Sequence, residues 1–208
     1  HFSTDFVYTV SYIIYIIYRC KAELSFRPEN HISKDTGIPP QGVPMIALQI
    51  TSMKNFMNHL LVADTFDPFL LEEATVSTAL TVTIDGHISK DFYPAEERGE
   101  DCIPWDLQSW SKIKGLCFDL IKGKHTPLYF KFVLHMQPDK AAAMLEKAQV
   151  DPAVIRALVL NIRYDGGKTV LTTGCAYQIF TMDKSADTAW DKALKKYLEM
   201  KGISYEEL

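Results

Sequence analysis

The sequence predicts an α+β fold in which two βαββα units form one antiparallel sheet with helices on one face. Some stretches alternate between apolar and polar residues, as strands do, and others repeat apolar residues at helical spacing. Asp-Gly pairs follow or separate strand patterns in both halves of the chain, and this pair is typical of tight β-hairpins. Uninterrupted hairpins favour antiparallel pairing, which allows helices to cover a single face.

The composition is that of a folded globular protein with one core. Of the 208 residues, 47% are hydrophobic and 23% are charged. The net charge of −4 argues against a surface that coats nucleic acid generally, but it allows a local basic face. We expect a single domain over residues 45–208.

The four cysteines predict reduced thiols rather than disulfides or a metal site. Cys20, Cys102, Cys117 and Cys175 include no Cys-x-x-Cys pair, and no histidine lies at a ligand spacing from them. This pattern is typical of a cytoplasmic protein whose cysteines act as small buried hydrophobic residues. We therefore predict no metal and no cofactor.

The first 44 residues differ in pattern from the rest. The apolar run Val7–Tyr18 is too short to span a bilayer as a helix, and it lacks the features of a signal peptide. Gln41-Gly42-Val43 can be encoded by a bacterial ribosome-binding sequence at a workable distance before Met45. The hypothesis is that residues 1–44 are translated upstream sequence or a disordered segment, and that no membrane is involved. The alternative is a membrane-associated or partner-binding N-terminal strand.

The first predicted unit covers residues about 45–123. Its elements are a strand at Met45–Ile50, a helix after Ser52, strand-forming residues over Phe69–Ile84, a turn at Asp85-Gly86, a return strand at Ile88–Tyr93, and a helix from Trp110 that stops at Gly123. The charged segment between the return strand and the second helix predicts a surface loop.

The second predicted unit covers residues about 127–202. Its elements are a strand at Leu128–Met136, a helix at Pro138–Ala148, a hairpin of Ala157–Tyr164 and Thr169–Phe180 across Asp165-Gly166-Gly167, and a helix that ends at Gly202. Each unit's last helix contains Trp-x-Lys and closes with Lys-Gly, which favours an internal duplication. Two unrelated βαββα units are the alternative.

Two resemblances accompany these patterns. The segment MIALQITSMKNFMNHLLVADTFDPFLLEEA, with TIDG downstream, resembles an uncharacterised family of short bacterial proteins over residues 45–208. That resemblance implies a boundary at Met45 and no assigned activity.

The second resemblance is structural. The run IPWDLQSWSKIKGLCFDLIKGKHTPLYFKFVL and the hairpin LVLNIRYDGGKTVLTTGCAYQIF resemble sliding DNA clamp domains. This likeness implies clamp-like geometry, although Pro138–Ile155 would be an extra helical insertion and a DNA-encircling ring would need several copies. The duplicated fold of the TATA-binding protein is the alternative, and a shared fold does not establish a function.

No pattern of residues specifies a catalytic site. Glu72 and Glu73 are adjacent, and adjacent strand residues point to opposite faces, so we expect them not to cooperate in acid–base chemistry. His135 lies in a strand without a nucleophile or acid at motif spacing. The glycines form no phosphate-binding loop.

The candidate nucleic-acid contacts are lysines on the two closing helices. They are Lys112, Lys114, Lys192, Lys195 and Lys196. Phosphate contacts need such positive charge, but lysines on solvated amphipathic helices are the simpler interpretation. Trp110 and Trp190 fall on the apolar sides of these helices, which predicts core positions.

The first functional hypothesis is a non-catalytic binding or accessory module that contacts an unidentified protein partner or self-associates through sheet edges. The second is a clamp-like nucleic-acid-binding protein that uses the lysine-bearing helices. An enzyme with an active site assembled from distant segments is the third.

Overall fold

The computed structural model describes residues 46–99 and 102–208. The prediction about residues 1–44 lies outside the described residues. Four helices are present in the described chain: α1 (Met53–Leu61), α2 (Trp110–Ile121), α3 (Pro138–Lys147) and α4 (Ser185–Met200). The strands are β1 (Ala47–Ile50), β2 (Phe69–Ser77), β3 (Thr81–Asp85), β4 (Gln108–Ser109), β5 (Tyr129–Met136), β6 (Ile155–Asp165), β7 (Lys168–Tyr177) and β8 (Tyr205–Glu207).

All eight strands belong to one antiparallel sheet, in the order β3-β2-β5-β6-β7-β1-β8, with the short β4 paired to β2 beside β3. The α+β class and the antiparallel sheet are therefore confirmed. Strand β1 lies between β7 and β8, far from β2, whereas β5 lies beside β6. The opening strand of the first half, β1, therefore does not pair with the next strand of its own half, whereas the opening strand of the second half, β5, does.

The core lies between the helices and one face of the sheet. In β6, the buried residues Leu158, Leu160 and Ile162 alternate with more exposed neighbours, and they join one cluster with buried residues of all four helices. Trp110 and Trp190 are 0% and 1% exposed, which confirms the prediction that they are core residues. Their indole nitrogens donate hydrogen bonds to the carbonyl oxygens of Leu60 and Val159, both at 3.0 Å.

One of the two predicted Asp-Gly turns is confirmed. Asp165-Gly166-Gly167 joins β6 to β7, and the glycines have φ angles of 60° and 106°, which a two-residue hairpin turn requires. Asp85-Gly86 is not a turn, because Asp85 still pairs with Glu73 of β2. The chain turns earlier, between Ser77 and Thr81, so that the hairpin of β2 and β3 lies within the segment predicted as strand.

The predicted return strand Ile88–Tyr93 is wrong. In its place lie an isolated bridge from His87 to Leu107 and a short 3-10 turn at Lys90–Phe92. Gly86 passes so close to β2 that its amide donates to the carbonyl oxygen of Glu72 at 2.9 Å. The Asp-Gly pair therefore serves a close backbone approach rather than a hairpin.

Candidate functional site

A groove of about 470 Å³ lies between α1 and α2 at one end of the sheet. We call it the α1–α2 groove. Its lining residues are Met53, Lys54, Met57, Asn58, Leu61, Val62, Phe118, Ile121, Lys122, Gly123, Lys124, His125, Thr126, Pro127, Phe130 and Tyr164. Its volume falls within the range of ligand-binding clefts.

The helical spacing of α1 explains how it supplies one wall of the groove. Phe56, Leu60 and Leu61 point into the core and are buried. Met53 and Met57 are one turn apart on the flank of the same helix, and both are half-buried. One side of α1 thus packs into the core, and the adjacent side presents the two methionines to the groove.

Two contacts hold α2 against α1 and the loop that follows α1. The indole of Trp110 is anchored on the Leu60 carbonyl, as described above. The ammonium of Lys114 donates to the carbonyl oxygen of Ala63 at 2.8 Å and contacts the Asp67 carboxylate at 2.5 Å. These contacts hold α2, the second wall, in place beside α1. The two helices therefore cannot easily move together and close the groove.

The floor of the groove is aromatic. Phe130 of β5 and Tyr164 of β6 are nearly parallel, with ring centroids 4.9 Å apart and an angle of 12° between the rings. Phe130 also stacks on Phe132, with centroids 5.1 Å apart. Packed rings of this kind form a stiff apolar surface under the two helices.

Two apolar side chains at the rim of the groove are exposed to solvent. Val62 is 59% exposed and Phe118 is 39% exposed, although both line the groove. Methionine and aromatic residues are enriched at sites where proteins bind other proteins, because they offer a large and adaptable apolar surface. The arrangement is therefore suited to burying apolar groups from another molecule.

The charge around the groove is opposite in sign to that of the whole chain. The lining residues include Lys54, Lys122 and Lys124 together with His125, and they include no Asp or Glu, whereas the chain carries a net charge of −4. Lys122 contacts the Asp119 carboxylate at 2.6 Å and lies 5.7 Å from the centroid of the Phe118 ring. The sequence did not predict this basic rim, because Lys54 lies far along the chain from Lys122 and Lys124.

The five lysines predicted to contact nucleic acid do not all remain available. Lys114 is held by Asp67 and Ala63, and the Lys195 ammonium contacts the Glu207 carboxylate at 2.7 Å. Lys112, Lys192 and Lys196 are exposed.

The helices that carry these lysines lie over different parts of the sheet. Helix α2 packs on β2 and α4 packs on β7. Three strand spacings separate β2 from β7, which corresponds to about 14 Å. The fold thus keeps Lys192 and Lys196 together on α4 and sets Lys112 apart from them.

Glu72 and Glu73 point to the same face of the sheet, contrary to the sequence prediction. A register shift in β2 between Leu71 and Glu73 inserts one extra residue, so the buried Leu71 and Ala74 are separated by two residues that both face away from the core. Glu72 lies 2.6 Å from the Nε2 atom of His135, and the Glu73 carboxylate lies 3.4 Å from the Lys131 ammonium. The hydrogen bond from His135 lowers the pKa of Glu72.

A second polar cluster lies between β7 and α4. Asp187 is 4% exposed and accepts a 2.8 Å hydrogen bond from the hydroxyl of Tyr177. Burial, together with the neighbouring Asp187 carboxylate, raises the pKa of both Cys175 and Tyr177. No group of three or more potential metal ligands occurs within residues 46–99 and 102–208.

The cysteines follow the sequence prediction in part. Cys117 and Cys175 are buried, and burial raises the pKa of Cys117 to about 12. Cys102 is exposed, because it lies in the loop before α2 rather than on an apolar side of an element, so its predicted burial is wrong. Cys20 lies outside the described residues.

A model of a family of unknown function, DUF5721, matches residues 59–206. The chain belongs to this family. No curated protein and no solved structure matches the chain. The DUF5721 match begins within α1, so it includes Leu61, Val62, the α2 wall and the floor of the groove, and it leaves Met53 and Met57 outside. Within the described part of this DUF5721 protein, no helix combines the length and the apolar character needed to cross a membrane.

Proposed function

We propose that the protein is a non-catalytic module that binds a segment of a protein partner in the α1–α2 groove. The observation that carries this proposal is the open apolar groove itself, with Val62 and Phe118 exposed at its rim. Covering these side chains removes apolar surface from water, which is the main driving force of protein association.

The fixed position of the two walls supports the same proposal. A groove that exists before binding spares the complex the entropic cost of ordering it. Trp110 and Lys114 attach α2 to the end of α1, and both of these side chains lie away from the rim of the groove. Binding can therefore use the rim without disturbing the contacts that hold the walls.

Site-specific photo-cross-linking in cells tests this proposal. A photoreactive amino acid at Val62 should form a discrete covalent adduct with a protein, whereas the same residue at the exposed Lys196 should not. Met57→Glu places a charge on the groove wall and should abolish the adduct. Met144→Glu, at a half-buried methionine of α3, is the matched control and should leave the adduct intact. Absence of an adduct at Val62, or equal adducts at both positions, would contradict the proposal.

Nucleic-acid binding is the second candidate function. Lys192 and Lys196 lie one turn apart on the exposed side of α4, and neither forms an ion pair within the described chain. An internal duplication would fit this function. So would a fold like that of a DNA clamp or like that of the TATA-binding protein. The duplication and the fold likeness both remain predictions. Two adjacent lysines supply few phosphate contacts, so we expect weak binding with only a shallow dependence on salt.

Fluorescence anisotropy with labelled single- and double-stranded DNA tests the second candidate. Binding at low salt that is lost in the Lys192→Glu/Lys196→Glu variant would support it. Lys140→Glu/Lys147→Glu, on the exposed surface of α3, carries the same change of charge and serves as the control. No binding at low salt would remove this candidate, because electrostatic attraction is strongest there.

A further inference from the structure

We infer that the segment that fills the α1–α2 groove is an amphipathic helix whose polar side is acidic. This inference rests on the proposed function and specifies the chemistry of the partner. Three features of the groove lead to it: the kind of walls it has, its length, and the sign of the charge around its rim.

The walls favour a helix over an extended strand. Both walls are α-helices, whose backbone groups are already hydrogen-bonded within each helix. An extended segment in such a groove would find no backbone partners there and would lose its hydrogen bonds to water. A helix enters with its own backbone bonds satisfied and presents only side chains to the groove.

The length of the groove fits a short helix. Helix α1 has nine residues and is therefore about 14 Å long. Apolar residues at positions i, i+4 and i+7 of a helix span about 10 Å along its axis. Three anchors of this kind can therefore lie side by side along the α1 wall, above the rings of Phe130 and Tyr164.

The positive charge at the rim of the groove favours a partner with negative charge. Lys54 belongs to α1, whereas Lys122 and Lys124 lie at the end of α2 and in the loop after it, so both walls carry positive charge. A helix seated between them places the polar residues that flank its apolar stripe next to these ammonium groups. The ion pair of Lys122 with Asp119 is about 60% exposed on both sides, and such surface pairs exchange partners at little cost.

A pair of synthetic peptides tests the inference against the chain of residues 1–208. Both are 18-residue helix-forming peptides with leucine on one side, one with glutamate and the other with lysine on the opposite side, and both carry a fluorophore for anisotropy. We expect the glutamate peptide to bind about tenfold more tightly than its lysine twin at low salt, with a smaller difference at physiological salt.

Two charge variants locate the effect. Lys54→Glu/Lys122→Glu/Lys124→Glu changes exposed residues only, and it should reverse the order of the two peptides. Lys140→Glu/Lys147→Glu/Lys192→Glu makes the same change of charge away from the groove and should leave the order unchanged. Thermal unfolding of both variants verifies that each is folded.

The remaining outcomes separate this inference from the proposed function. Equal binding of the two peptides, or a preference for the lysine peptide, overturns the acidic partner, and the Val62 adduct still decides whether a protein binds. Binding of neither peptide overturns the helical partner. Saturable binding of laurate, with no binding of either peptide, assigns the groove to an anionic lipid and overturns the inference.

Discussion

At the scale of single residues, Gly86 shows how one backbone atom can determine a residue type. A Cβ atom added at Gly86 would lie 1.9 Å from the carbonyl oxygen of Leu71, which is far inside van der Waals contact. The neighbouring atoms belong to the backbone of β2 at its bulge, so they cannot move without disturbing the sheet. Only glycine fits there.

We therefore expect Gly86→Ala to lower the free energy of unfolding by about 3 kcal/mol. Gly174→Ala is the matched control, because Gly174 also lies in the sheet and has nothing within 4 Å of an added Cβ atom. Its effect should stay within about 0.5 kcal/mol. Urea denaturation of both variants measures the difference in their free energies of unfolding. Equal stability of the two variants would show that the backbone of β2 can shift to accommodate the added Cβ atom.

The hydrogen bond between His135 and Glu72 makes part of the stability depend on pH. The hydrogen bond from His135 lowers the pKa of Glu72 in the folded chain below its ordinary value of 4.5. The folded state thus favours the carboxylate more than the unfolded chain does. This stabilisation is complete above the unfolded pKa and is lost as the pH falls through the folded pKa.

Glu72→Gln removes this titration. The stability advantage of the wild type over Glu72→Gln should therefore shrink as the pH is lowered from about 5 to about 3. Glu146→Gln, at an exposed residue of α3, should follow the wild type across the same range. Urea unfolding at several pH values gives the comparison, and a constant difference between wild type and Glu72→Gln would contradict the assigned cause.

At the scale of elements, contacts between helix α2 and the loop after α1 decide which lysines of α2 have a structural role. Lys112 and Lys114 are two residues apart on α2, and the sequence gives both the same interpretation. The Lys114 side chain is 15% exposed and reaches Asp67 and the Ala63 carbonyl, whereas Lys112 points to solvent. The hydrogen bonds of Lys114 join α2 to the loop between α1 and β2.

Lys114→Met should therefore lower the free energy of unfolding by about 1–2 kcal/mol, because it leaves Asp67 without its partner. Lys112→Met should have little effect. Chemical denaturation of the two variants measures this. A similar loss of stability in both variants would mean that the hydrogen bonds of Lys114 contribute no more than the positive charge of any lysine on α2.

At the scale of the whole molecule, the order of the strands makes the first and last parts of the domain depend on each other. Strand β1 pairs with β7 through Leu48 and Leu171, and β8 pairs with β1 in turn. The family match begins at residue 59, so β1 lies outside it although β1 sits between two other strands of the sheet.

A chain that begins at His59 should therefore fail to fold cooperatively, whereas one that begins at Met45 should fold. The shorter chain lacks the buried Leu48, Ile50 and Phe56, each of which contributes about 2 kcal/mol through burial. It also leaves the edge of β7 unpaired. Circular dichroism and thermal unfolding compare the two chains, and equal cooperativity would show that β1 is dispensable.

The sequence by itself determined the class of the fold and most of the elements. Helical spacing located the start of α1 and both ends of α3 to within a residue, and the Gly166-Gly167 turn followed from the φ angles that only glycine adopts easily. These features depend on interactions between residues close in the chain, which leave a periodic pattern.

Only the tertiary structure decided the order of the strands, the bulge at Glu72, the role of Gly86 and the existence of the α1–α2 groove. Each of these depends on residues far apart in the chain. Met57 and Phe130 line one groove, although they are 73 positions apart. Local propensity and periodicity carry no information about such pairs, because the contact forms only when the sheet and the helices pack together.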